Sequence, residues 1–162
     1  ILEEKMLKAK AIAVLGISAA IVAACSDGSV SQPEQVALAE KPVALAASDV
    51  TTLDGTMLQN FAGNAANGKA VFAQCSMCHA MDAGLNKIGP SLNGVIGRKS
   101  GSVAGFSYSA ANANSGFVWT KEKLNQHLEK PQRVIPGTKM IYAGLPDAQK
   151  RADVIAYLEA PN

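Results

Sequence analysis

The sequence predicts a small all-α domain with three main helices and long connecting loops. Three observations carry this. Apolar residues recur at helical spacing near residues 65–77, 121–129 and 147–159, while strand signals are weak throughout. The run Met81–Ser107 is dense in turn residues, with Pro90 and glycines at 84, 89, 94, 97, 101 and 105, and long ordered loops in compact domains are usually functional. Aromatic residues are only 5% of the 162. That is lean for a domain that must bury a core, so a bound apolar group is expected to complete it.

Residues 1–25 read as a targeting segment. A short basic stretch, Met6–Lys10, precedes the apolar run Ala11–Ala24, which falls short of the ~20 residues that cross a bilayer comfortably. The run ends Val22-Ala23-Ala24-Cys25, resembling the lipobox of bacterial lipoproteins, in which the cysteine is lipidated. Two other readings stay open: an uncleaved membrane anchor, and a cleaved signal with Cys25 incidental. Residues 26–60 are rich in Ala, Ser, Gln, Val and Pro, with five acids and one lysine, and read as a flexible acidic linker. The folded domain is expected over 61–162.

Within it, Asn64 is a suitable N-cap for a helix over 65–77, with Val71 and Phe72 facing inward. Ser109–Ser115 holds one or two helical turns. Thr120 can cap a helix over 121–129, where Leu124 and Leu128 share a face, and Pro131 ends it. The last helix, 147–159, starts after Pro146 and lines up Ala148, Ala152, Ile155 and Leu158.

The first of these helices ends on Cys75-Ser76-Met77-Cys78-His79. Two thiols at this spacing can add to the two vinyl groups of one haem and leave the next side chain, His79, beside the iron. A thioredoxin-like redox pair would sit near a β-α-β pattern, and none is visible. A structural zinc site would need four ligands. The set on offer, Cys75, Cys78, His79 and His127, would have to use adjacent residues. One haem c, covalently held through Cys75 and Cys78, is the reading adopted.

From Ile88 onward the chain resembles the class I cytochromes c of the mitochondrial type and their small bacterial relatives. The resemblance rests on Gly89-Pro90, Gly94, Gly97-Arg98-Lys99, Gly105-Phe106-Ser107-Tyr108, Trp119, Pro136-Gly137-Thr138-Lys139-Met140 and Arg151–Leu158, together with the haem motif. It implies the small cytochrome c fold, with first and last helices crossing near Gly68, Phe72, Val154 and Tyr157. It also implies Met140 as the sixth iron ligand opposite His79, and a Pro90 carbonyl that accepts from the His79 ring. Arg98, Tyr108, Trp119 and Thr138 match positions that hydrogen-bond the haem propionates, and Asn112 matches a neighbour of that network. The family usually has Tyr where this chain has His127. This imidazole either packs beside the methionine, or tunes the site with pH or competes for iron.

Residues 1–55 carry four lysines and seven acids, whereas residues 56–162 carry eleven basic residues and six acids. A basic domain favours acidic partners, and no recognition motif for nucleic acid is present. The implied function is one-electron transfer between membrane respiratory or photosynthetic complexes. The expected partners are acidic docking sites of the cytochrome c reductase and oxidase type. The expected setting is a monomer on the periplasmic side of a bacterial membrane, anchored by lipidated Cys25 or the N-terminal segment. Several docking lysines of the family are replaced, by Gln74, Gln132 and Arg133, while Lys87, Lys99, Lys130 and Lys139 remain. A peroxidase, or a redox or gas sensor, is the alternative if the methionine ligand is labile.

Overall fold

A computed structural model describes residues 43–161, all within the compact unit Ala39–Asn162. The predicted leader, Cys25 and residues 26–42 of the predicted linker lie outside the described residues. Among the described residues a 3-10 turn, Leu58–Asn60, precedes five helices: α1 Ala65–Ser76, α2 Ala110–Ala113, α3 Lys121–Glu129, α4 Pro131–Val134 and α5 Ala148–Glu159. Two of the five are single turns, so the three main helices are α1, α3 and α5. Among the described residues the only β-pairing is a single antiparallel bridge between Lys99 and Val118.

The helix starts follow capping chemistry. Asn64, Ser109, Thr120 and Asp147 each accept a hydrogen bond from the backbone N–H three residues on, satisfying one of the donors a first turn leaves unpaired. The fold's main long-range contact is the crossing of α1 and α5. Gly68 makes it possible, since a Cβ there would run into the Asp153 carbonyl and the Tyr157 side chain. Beside it the Phe72 and Tyr157 rings meet at 5.2 Å between centroids. Asp153 Oδ1 also accepts from the Asn64 N–H at 2.9 Å, which ties the start of α1 to α5.

α3 departs from its expected amphipathic form. Every residue from Lys123 to Glu129 is buried, polar ones included. The reason lies in residues 43–60. Composition assigns them to a flexible linker, but in the structure they lie against α3 as a strap. Glu129 accepts from the N–H groups of Leu53 and Asp54 at 2.6 and 3.0 Å. Gln126 donates to the Thr51 carbonyl at 2.9 Å, and the Lys123 ammonium donates to the Asp49 carbonyl. Leu45 and Leu58 add apolar contact with the core. The physical reason is that α3 presents buried polar groups which need partners, and the strap's backbone supplies them.

Candidate cofactor site

Between α1, α3, α5 and the Gly-rich loops lies a cavity of about 860 Å³. Phe72, Leu92, Val95, Leu124, Leu128 and Leu158 give it apolar walls. Cys75, Cys78 and His79 line it from the end of α1, and Met140 and Thr138 from the segment after α4. Arg98, Tyr108, Asn112 and Trp119 bring polar groups to it. The structure therefore gathers every proposed haem contact in the described residues around one space.

The His79 wall is set by short-range bonds. Gly89 N–H donates to the Cys78 carbonyl at 2.8 Å, and Leu92 N–H to the Ala80 carbonyl at 2.8 Å. The His79 Nδ1 is 2.7 Å from the Pro90 carbonyl, so Nδ1–H donates and the Nε2 lone pair is left for a metal. Burial lowers the His79 pKa, and nearby Lys87 lowers it further against the pull of the Pro90 bond, so the ring is held neutral. Gly89 is required for a steric reason. Any Cβ there would collide with the His79 ring.

Cys75 and Cys78 form no disulfide with each other. Burial, with Cys78 adding to it, pushes the Cys75 thiol up to about 11. Catalytic Cys-x-x-Cys pairs need the opposite shift, toward the thiolate. Among the described residues no three His, Cys, Asp or Glu side chains are grouped as a metal site would need. Neither the redox-pair nor the zinc reading fits this arrangement.

The polar end is built from donors. Arg98 is held by two bonds, to the Asn93 and Ser91 carbonyls at 2.8 and 2.9 Å. Burial raises the Tyr108 pKa, so its hydroxyl keeps its proton at neutral pH, and it accepts from Val103 N–H at 3.4 Å. Asn112 accepts from the Ser100 hydroxyl at 3.0 Å, and Thr138 from the Met140 N–H at 3.2 Å. Thiols, an imidazole, a thioether, apolar walls and clustered donors match what a haem with two vinyls, an iron and two propionates requires.

His127 lies deeper. It is 7% exposed, packs edge-on to Trp119 at 4.8 Å, and its Nδ1 has no hydrogen-bond partner among the described residues. Burial, then His79 and Lys123, depress its pKa to about 3. Burial thus disfavours the charged imidazole, which weighs against a role that depends on its titrating between pH 5 and 8.

Two features escaped the sequence reading. Arg151 is 0% exposed and joins α5 to α3, to the strap and to the segment after Met140. Gln132 donates to the Met140 and Tyr142 carbonyls at 3.1 Å each. The one available signal was the repeated Asp-x-Thr of Asp49-Val-Thr51 and Asp54-Gly-Thr56, each a side-chain turn that orders the strap locally.

Residues 65–160 match the family model described as Cytochrome c. Cytochrome c 2.1 of Caenorhabditis elegans is 56% identical over 99 residues, covering 60% of this chain and 89% of that protein. Cytochrome c2 of Blastochloris viridis is 51% identical over 102 residues, covering 62% of this chain and 80% of its own. Among solved structures, cytochrome cH from Methylobacterium extorquens superposes with a TM-score of 0.57 at 42% identity, over 60% of this chain and 98% of that one.

Proposed function

The chain belongs to the cytochrome c family and is an electron carrier that binds haem c covalently through Cys75 and Cys78; from that premise we propose how it holds the iron and where it docks. His79 and Met140 would supply the iron's two protein ligands. The observation that carries this is that both line one cavity, with the His79 Nδ1 committed to Pro90. The haem supplies one-electron chemistry at its iron, and a thioether ligand favours the reduced form. The protein's part is to keep both ligands in place, so that few atoms move when the electron does. Arg98, Tyr108, Trp119 and Thr138 hold the propionates, with Asn112 beside them.

Docking takes place at the cavity mouth. Met77, Ile88 and Ile141, which line the cavity, are 79%, 81% and 101% exposed, far more than apolar side chains need be without a partner. Lys87 and Lys139 stand at the same opening. An apolar centre with a basic rim suits brief contacts with acidic partners, of the reductase and oxidase kind, and no bond-making chemistry is assigned to the chain. The chain works as a monomer on the periplasmic side of a bacterial membrane. The apolar leader and Cys25 support export and anchoring; no helix among the described residues is long and apolar enough to cross a membrane. The alternatives, peroxidase and sensor, gain no support from this geometry.

The test is an absorption spectrum of the oxidised holoprotein. A sulfur-to-iron charge-transfer band that disappears in Met140→Ala, with haem still covalently attached, is the expected outcome; a spectrum unchanged by the substitution overturns the ligation. Electron transfer to an acidic partner should slow with rising salt, because steering is screened beyond ~8 Å at physiological ionic strength. A rate independent of salt would leave the apolar rim alone as the docking determinant.

A further inference from the structure

The segment between Met140 and α5 forms no helix; it is held by the Leu145 N–H bond to the Leu128 carbonyl at 2.7 Å, by core packing of Leu145, and by bonds made to its carbonyls. Gln132 holds it near Met140. At the other end, Arg151 Nη1 donates to the Leu145 and Pro146 carbonyls, both at 2.9 Å. The same guanidinium donates through Nε to Asn125 Oδ1 at 2.8 Å. Its remaining nitrogen reaches the strap, at 2.7 Å to Asp54 Oδ2 and 2.8 Å to the Thr56 hydroxyl.

Asp54 is the one acid in an ion pair with this buried guanidinium among the described residues. Burial of Asp54 opposes its charge, yet bonds from Thr56 and Arg151 outweigh that and hold the carboxyl well below the usual range. The strap is itself fixed, by Glu129 to the backbone of Leu53 and Asp54, and by Arg133 to the Thr51 carbonyl at 2.7 Å. A buried cation that loses its counter-ion becomes costly and shifts or hydrates. A displaced Arg151 gives up its bonds to the Leu145 and Pro146 carbonyls, leaving the segment to its remaining contacts.

We propose that residues 49–56, which precede the matched family region, are a positioning strap: by presenting Asp54 to Arg151 they set how firmly the Met140 segment is held, and hence how readily the sixth ligand is displaced. The proposal rests on the reading of Met140 as that ligand. Asp54 is a positioning residue, acting through Arg151 on a segment it does not touch.

The experiment compares oxidised holoproteins of wild type, Asp54→Asn, Thr56→Val and the core control Ile155→Val. Imidazole is the probe, since it binds iron only when the methionine is off. In Asp54→Asn, imidazole should bind about tenfold more tightly, because apparent affinity scales with the open population. The urea midpoint for losing the sulfur-to-iron band should fall further than the midpoint for losing helical circular dichroism. Ile155→Val should move both midpoints together and leave imidazole affinity alone. Thr56→Val keeps the charge and removes one bond, so it should give a smaller shift of the same sign, and it decides the matter if Asp54→Asn yields no holoprotein. Equal shifts of the two midpoints, with imidazole affinity changed less than about twofold, overturn the strap's role and leave ligation intact. A wild type without the band overturns the ligation reading and this proposal with it.

Discussion

On the His79 side of the cavity, the bonds that hold the wall close over short stretches of chain: His79 to Pro90 and Lys87 to the Ser76 carbonyl each span 11 residues. On the Met140 side the wall depends on Arg151, whose bond to Asp54 spans 97 residues, and on strap contacts to α3 that span 74 to 77. Closing a longer loop costs only slightly more entropy, growing as the logarithm of its length. The real difference is in what must be present. Once α1 is docked on α5, the His79 wall is closed by bonds within its own stretch of chain, whereas the Met140 wall also draws on the strap, α3 and Arg151. One side is therefore closed locally, and the other is open to adjustment from a distance.

The sharpest way to break that contrast is Arg151→Met. It strands Asp54, Asn125 and two carbonyls, and the expected loss of stability is about 3–5 kcal/mol by urea unfolding. The Met140 band should vanish at lower urea than in wild type, with haem still attached through Cys75 and Cys78. The matching change on the other wall is Gly89→Ala. Its Cβ must displace the His79 ring, at an expected cost of about 1–3 kcal/mol for local overpacking. Here the iron–histidine vibration should shift while imidazole affinity stays near wild type; increased imidazole binding would mean the walls are not independent.

Much of the His79 wall could be read from the sequence, because its information is local. A motif, a glycine and a proline within 16 residues specify it, and the caps at Asn64 and Thr120 follow the same short-range rules. The Met140 wall was legible only in its ligand, through family likeness. Its support was not, because Asp54, Arg133 and Arg151 are charged residues of the kind that usually face water, and α3 displays only Leu124 and Leu128 as obvious core. An acidic, Ala- and Ser-rich stretch has the composition of a tether. It becomes structure here because Lys123, Gln126 and Glu129 present it with buried partners.

A third change sharpens the comparison through pH. The unfolded His127 imidazole takes up a proton near pH 6.5 and the folded one near 3, so falling pH favours the unfolded chain. Stability attributable to this residue is complete above pH 6.5 and should decline by up to about 1.4 kcal/mol per pH unit below it. His127→Phe removes a buried nitrogen with no partner, so it should be near neutral at pH 7 and flatten the acid limb. The measurement is the difference in unfolding free energy between variant and wild type from pH 7 to 4.5. An unchanged difference would mean the imidazole is reached by water. The smallest effect is expected for Gln132→Ala, below about 1 kcal/mol in global stability for an exposed amide. It should still raise the rate of imidazole binding, since it frees the segment at Met140 itself.

The crossing of α1 with α5 also bears on how the molecule is made. A chain emerging from the ribosome presents Phe72 and Gly68 well before Tyr157 and the Asp153 backbone, which cover them. Until then the helix that ends in Cys75, Cys78 and His79 has nothing to dock against. The attachment site is thus left accessible, by topology alone, until α5 is in place, to whatever machinery must weld a cofactor onto it. Closure comes with α5, through a non-local contact of the kind that slows folding. A cofactor added before that moment is packed into place by the rest of the chain, and one added afterwards would have to enter between walls already formed.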